Sequence, residues 1–265
     1  MIIVLGWFLV PAAVLASPPR PPGWRRVAPG LEFARWDAAA TVRTGSGKVA
    51  LLRVDPRRYA FRVLAAPRGR SGFTAEQWRH QSGALAVFNA GQYTVDGAYL
   101  GLLIQDGRAR GHLIRRLEAL FLAEPDEPSL PPARVLDLRY TAFDLKTNPY
   151  RQAAQSLMLL DRFGHIRVRR SPRVAHRTLV AEDTRGRILV LVTEGGHTLW
   201  ELARFLARSP LHLREVMCMD GGPESQLDIR VGEFAYQQFG GPSGSPELLP
   251  WPPPPLPAAL GVFPR

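Results

Sequence analysis

Apolar residues fall in short clusters along most of the chain, at 49–54, 59–64, 84–88, 99–104, 117–122, 135–138, 166–168, 178–181, 188–192 and 216–219. Runs this short, bounded by Gly, Pro, Asn and Asp, have the length of strands. Helical periodicity is confined to two places. Residues 74–81 suit a short helix. Residues 198–208 suit a longer one: Thr198 caps it, Glu201 completes a capping box, and Leu199, Leu202, Phe205 and Leu206 share one face. The pattern therefore predicts an α+β domain: a large, twisted, mixed sheet with few helices, in which 188–192, the second helix and 216–219 form a strand–helix–strand unit. No internal repeat recurs at a fixed period.

The two ends read differently. Residues 2–16 carry no charge, Ser17-Pro18-Pro19-Arg20 turns polar at once, and Val14-Leu15-Ala16 places small residues at a cleavage point. The run is short for a bilayer span, so it reads as a secretory signal over 1–16, cut after Ala16, with no stable membrane span afterwards and a periplasmic or secreted product. An uncleaved anchor is the other reading, since basic residues before the apolar stretch are missing. An N-terminal extension with a first strand follows over 17–47, then a domain over 48–239. Residues 240–265 are rich in proline, which removes backbone donors, and predict an extended strap or loose tail, or secondarily a recognition peptide. Residues 124–132 predict a surface loop.

Charge and cysteine content narrow the class. Lys+Arg total 34 against 23 Asp+Glu, a net charge of +11, and Lys48 and Lys146 are the only lysines. Guanidinium groups suit phosphate or carboxylate partners, including anionic envelope polymers, although an arginine-rich background gives the same bias. A single cysteine, Cys218, excludes a disulfide framework and a cysteine-based zinc cluster. The six histidines show no H-x-H or H-E-x-x-H spacing, so no metal site is assigned. No G-x-S-x-G elbow, P-loop or dinucleotide fingerprint is present, and no reading helix for sequence-specific nucleic acid. No cofactor is implied.

Candidate chemistry sits at strand ends. Met219-Asp220-Gly221-Gly222-Pro223-Glu224-Ser225 follows an apolar run directly, and its glycines let backbone approach a ligand beside Asp220. Phe88-Asn89-Ala90-Gly91 has the same architecture, with Asn89 able to hold a ligand hydroxyl or merely its own turn. Arg177-Thr178 opens another strand, where one guanidinium could clamp a phosphate; Arg167, Arg169, Arg170 and Arg173 before it read as a solvated face. Glu194 ends 188–192 just ahead of the capped helix.

In this order the pieces resemble the phosphodiester glycosidase domain family, which includes N-acetylglucosamine-1-phosphodiester α-N-acetylglucosaminidase and exported bacterial relatives linked to exopolysaccharides. Phe88–Gly91 is joined by Leu100-Gly101-Leu102, Asp106-Gly107-Arg108, Gln155-Ser156, Leu159-Leu160-Asp161, Arg177-Thr178, Thr193-Glu194-Gly195 and Met219–Gly222, so the resemblance spans roughly 48–227. It departs where Pro223 and Glu224 replace the family's glycine and serine, with Ser225 one place late, and where Gln92-Tyr93 replaces an aromatic pair. The resemblance implies cleavage between an anomeric carbon and a phosphodiester oxygen. Asp220, Glu194 and Glu224 would be catalytic; Asn89, Gly91, Arg177, Thr178, Gly221, Gly222 and Ser225 would bind a glycan or sugar-phosphate substrate. Two other readings stay open: a non-catalytic binder of polyanionic glycan or polysaccharide-assembly protein, and a phosphodiesterase for nucleotides or teichoic-type polymers.

Overall fold

The computed structural model describes residues 18–67, 70–94, 96–241 and 252–265. The expected signal at 1–16 lies outside them. Strands β1 (Arg25–Ala28), β2 (Leu31–Asp37), β3 (Val42–Val54) and β4 (Tyr59–Ala65) come first, then helix α1 (Ala75–Ser82) and β5 (Ala86–Asn89). Four short strands follow: β6 (Gln92–Tyr93), β7 (Tyr99–Leu100), β8 (Leu103–Gln105) and β9 (Arg108–Arg110). The middle of the chain holds β10 (Ala119–Pro125), β11 (Ala133–Asp137), β12 (Tyr150–Leu160), β13 (Thr178–Asp183) and β14 (Ile188–His197). Helix α2 (Leu199–Ala207) leads into β15 (Leu213–Cys218), β16 (Gln226–Val231), β17 (Phe234–Phe239) and β18 (Ala258–Pro264).

The strands build two principal sheets. The larger runs β1-β2-β3-β14-β13-β15-β12-β10-β11, with β8 and β9 attached through β12; the smaller runs β17-β16-β5-β18-β4. Their facing sides bury one core, in which Phe33, Leu52, Val190 and Met217 from the larger sheet meet Phe61, Phe88, Leu260 and Val262 from the smaller. Each outer face also carries a helix. Leu202, Phe205 and Leu206 of α2 cover Leu51, Leu179 and Leu191, while Trp78 of α1 packs with Val87 and Ala259. Central strands are thus buried on both faces, which is why they appear in the sequence as continuous apolar runs.

Four expectations are corrected. Every pairing recorded between the named strands is antiparallel, so the sheets are not mixed; β14 and β15, on either side of α2, are separated by β13. Residues 166–168 make only an isolated bridge, Leu160 to Ile166, because Arg167 turns inward to three carboxylates. The C-terminal stretch ends as β18, an interior strand between β5 and β4, rather than a strap: past its prolines the run Ala258–Pro264 is almost wholly buried. The full capping box belongs to α1, where Thr74 and Gln77 bond reciprocally. At α2 the Glu201 carboxylate takes the Thr198 hydroxyl and Arg43 instead of the cap's backbone.

Candidate active site

The turn after β15 lies where both sheets offer strand ends. Asp220 N–H donates to Gly91 O at 2.6 Å, and Asn89 Nδ2 donates to Asp220 O at 2.9 Å. Asn89 Oδ1 accepts from Gln226 N, so both ends of this fully buried amide hold backbone. From the larger sheet, Met219 N–H donates to Thr178 O and Gly222 N–H to His176 O. The buried hydroxyls of Thr178 and Ser225 lie 2.8 Å apart and tie the two flanks together. A Cβ on Gly221 would come within 2.5 Å of His176 O, and Gly222 has φ +74, so the double glycine is required by contact at one position and conformation at the next.

This brace presents Asp220. Its Oδ2 accepts from Tyr93 N at 3.0 Å and its Oδ1 from Gly221 N at 2.9 Å, which fixes the carboxyl's orientation. Burial raises its pKa above the ordinary carboxylate value, against those N–H groups and the charges of Arg173 and Arg177. Glu224 is half-buried and close enough to Asp220 for the two to repel; burial first, and Asp220 second among the raising causes, push its pKa up as well. Two carboxyls thus share a site that favours proton retention on the pair.

Arg177 is 7% exposed. Its Nε donates to His197 O and its Nη2 to Arg173 O, while Nη1 makes no hydrogen bond among the described residues and lies beside Gly221. It forms no ion pair among them. Burial therefore lowers its pKa, by more than the nearby Asp220 charge restores. Behind it, His197 is fully buried, and burial pulls its pKa down to about 4. Cys218 is also inert: burial pushes its thiol up to about 12.

Of the residues singled out in the sequence, Asn89, Gly91, Arg177, Thr178, Asp220, Gly221, Gly222, Glu224 and Ser225 come together here. Glu194 does not join them by any hydrogen bond or ion pair among the described residues. Its carboxylate accepts from Arg35 Nε at 2.6 Å, Arg35 Nη2 at 2.5 Å, Tyr236 Oη at 2.9 Å and Ser46 Oγ at 3.3 Å. Burial opposes its charge, but these donors hold its pKa below the ordinary value. Sequence reasoning missed Arg173, whose charge lowers the pKa of both carboxyls although the residue is exposed, and Tyr93, which supplies its backbone N–H. Neither carries a local sequence signal. No group of three or more His, Cys, Asp and Glu among the described residues is arranged to hold a metal ion. A cavity of about 620 Å³ is lined by Arg70, Tyr99, Arg110 and Pro257 and not by Asp220. The carboxyl pair and the unpaired guanidinium mark chemistry more specifically than volume does.

Residues 82–263 match the model of the family described as phosphodiester glycosidase, well over half of the chain. The chain belongs to the phosphodiester glycosidase family. The matched phosphodiester glycosidase region runs from the last residue of α1 into β18 and includes strands of both principal sheets, with β1 to β4 lying before it. Among solved structures the chain is similar to the zebrafish N-acetylglucosamine-1-phosphodiester α-N-acetylglucosaminidase catalytic domain, auto-inhibited by its pro-peptide. That match has TM-score 0.61 and 18% identity, and covers 93% of this chain and 87% of the other. A hypothetical protein from Synechocystis matches at TM-score 0.55 and 13% identity over 89% of this chain and 62% of its own. A Burkholderia pseudomallei protein whose designation suggests export matches at 0.53 and 12%, over 85% and 76%. At these identities the likeness shows the fold alone. No curated protein matches the chain by sequence. No helix among the described residues is long and apolar enough to cross a membrane.

Proposed function

We propose that the Asp220 site hydrolyses sugar-1-phosphate diesters, in an exported protein of envelope or exopolysaccharide metabolism. The observation that carries this reading is Arg177: a buried guanidinium with no ion-pair partner among the described residues, placed against the Gly221 turn beside a carboxyl pair. Such a charge is costly unless an anion completes it, and a phosphodiester is an anion of suitable geometry. Arg177 Nη1, with Arg173 nearby, would hold the phosphate. Asp220, held by two N–H groups, would face the anomeric carbon and stabilise its developing positive charge. Glu224 would take a proton from water as the water oxygen bonds to that carbon and the carbon–phosphate oxygen bond breaks. The leaving phosphate carries away the electron pair as a phosphomonoester, and needs little proton help because it is already a stable anion.

Asn89, Thr178 and Ser225 are assigned here to bracing the turn, and Glu194 to joining β14 to Arg35 and Tyr236, rather than to substrate contact. Family membership supports the reaction class, and the uncharged stretch at 2–16 supports export. The test is a panel of phosphodiesters with and without an anomeric sugar. Release of free sugar only from the sugar-1-phosphate members, abolished by Asp220→Asn in a folded variant, is the expected result. Unchanged turnover in Asp220→Asn removes Asp220 from the mechanism.

A further inference from the structure

A second cavity, of about 570 Å³, opens beside α2 and is lined by Arg43, Arg170, Thr198, Trp200, Glu201 and Arg204. Its volume falls in the ~300–1,000 Å³ range of small-ligand sites. Three guanidinium groups meet one carboxylate there. Glu201 is taken by Arg43 in a bidentate pair, whereas Arg170 and Arg204 form no ion pair among the described residues. Two positive charges are thus left facing the cavity without a protein counter-ion. Arg170 lies over the Trp200 ring, 5.1 Å from its centroid, and the buried indole N–H has no hydrogen-bond partner among the described residues.

An indole surface flanked by unpaired guanidinium groups matches a particular ligand chemistry. A pyranose ring offers an apolar C–H face to stack on an indole, and an acidic substituent on that sugar offers carboxylate or phosphate oxygens to guanidinium. A neutral sugar would use only the indole, and a bare anion only the arginines. The cavity is also joined to the Asp220 site by one segment. Arg170 lines the cavity; Ala175 exchanges backbone hydrogen bonds with His197; and His176 and Arg177 hold the Gly221 turn. Arg170 and Arg177 are seven residues apart along the chain, at most about 25 Å when extended. We infer that the cavity at Trp200 is a subsite for an acidic sugar unit of an extended glycan whose scissile unit lies at Asp220. This deepens the reading given above, on which its link to catalysis rests, by naming the substrate class as acidic polysaccharide.

The test uses the whole chain and ligands that lack an anomeric phosphodiester, so that nothing is hydrolysed. Calorimetric titration would compare an oligouronate, an oligosaccharide bearing phosphomonoesters, a neutral oligoglucan, and a single-stranded oligonucleotide of matched charge. At least one acidic oligosaccharide is expected to bind, with the oligouronate and phosphorylated arms separating carboxylate from phosphate recognition. Trp200→Ala, and separately Arg170→Gln with Arg204→Gln, should weaken that binding about tenfold or more. Arg185→Gln with Arg230→Gln, which removes equal charge from exposed positions elsewhere, should leave it unchanged. Turnover of a small sugar-1-phosphate diester should be the same in the pocket variants and the parent. If Trp200→Ala does not fold, the arginine pair decides. No acidic-sugar binding, equal weakening in the control pair, or equally tight oligonucleotide binding overturns the inference. If acidic sugars bind here but no diester is turned over, the Asp220 reading fails and the subsite stands.

Discussion

Arg167 and Arg177 are both buried, yet the fold answers their charges in opposite ways. The Arg167 side chain, 4% exposed, meets Glu118, Asp137 and Asp161. Burial opposes its charge, but the Glu118 and Asp137 carboxylates outweigh that and raise its pKa. Among the described residues Arg177 bonds only backbone carbonyls, and burial lowers its pKa. A buried charge surrounded by its own counter-ions is a structural joint. A buried charge beside a strand-end turn, with carboxyls near but none bonded to it, is half of an interaction.

The largest expected effect separates the two. Arg167→Met leaves Asp137 and Asp161, at 0% and 1% exposure, without their cation, and should lose about 3–5 kcal/mol of stability. Arg177→Met strands only two backbone carbonyls and removes an uncompensated charge, so it should lose no more than about 1–3 kcal/mol. Turnover of a sugar-1-phosphate diester should nevertheless fall about 10²–10³-fold in Arg177→Met, the scale of losing one preorganised donor to a developing anion. Urea unfolding and steady-state kinetics check both. Equal stability losses, or intact turnover in Arg177→Met, break the comparison.

The next effect sharpens it through pH. With Glu224 as base and both carboxyls raised by burial, kcat/KM should fall as pH drops, along a limb centred above the ordinary carboxylate range. Arg173 lowers the pKa of both groups, so Arg173→Gln should move that limb to higher pH, besides lowering the plateau by the loss of a cation near the phosphate. Glu224→Gln should remove the limb together with most activity. A pH profile unchanged in Arg173→Gln would mean that the cation does not act on the pair.

Much of the site was legible because its parts stand at strand ends in a fixed order: Asn89 after one apolar run, Asp220 after another, Arg177 before a third. Their roles were less legible, because these depend on two sheets meeting. Asn89 looks ligand-facing in sequence, yet it clamps backbone 131 residues away. Glu194 looks free, yet Arg35, 159 residues distant, holds it. Arg167 reads as solvated because its three carboxylates lie on other segments. Strand β12 was hidden by Gln152, Gln155 and Ser156, which break its apolar pattern. Gln155 is fully buried and bonds the backbone of Leu102, Ile114 and Leu117, replacing main-chain partners that a loop lacks. Strand β18 was hidden by the prolines before it, although 258–263 is itself an apolar run.

The smallest effect tests a third buried charge between those two extremes. Glu215 is 1% exposed and directly opposes Glu182 across β13 and β15. Arg162 Nε lies 3.3 Å and Arg214 Nε 3.8 Å away, but neither carboxylate oxygen has hydrogen-bond geometry with any donor among the described residues. Burial raises its pKa above the unfolded value. A group raised in this way favours the fold when protonated, in acid, and opposes it once pH climbs past its folded pKa. Glu215→Gln removes that penalty while keeping the side chain's shape. Stability should therefore rise by about 1 kcal/mol at neutral pH, and the gain should vanish below about pH 4, where the parent carboxyl is protonated in both states. Urea unfolding at the two pH values measures it. A loss at neutral pH on the scale of Arg167→Met would place Glu215 with the paired charges, and would show that ion-pair distance without hydrogen-bond geometry is enough to make a structural joint.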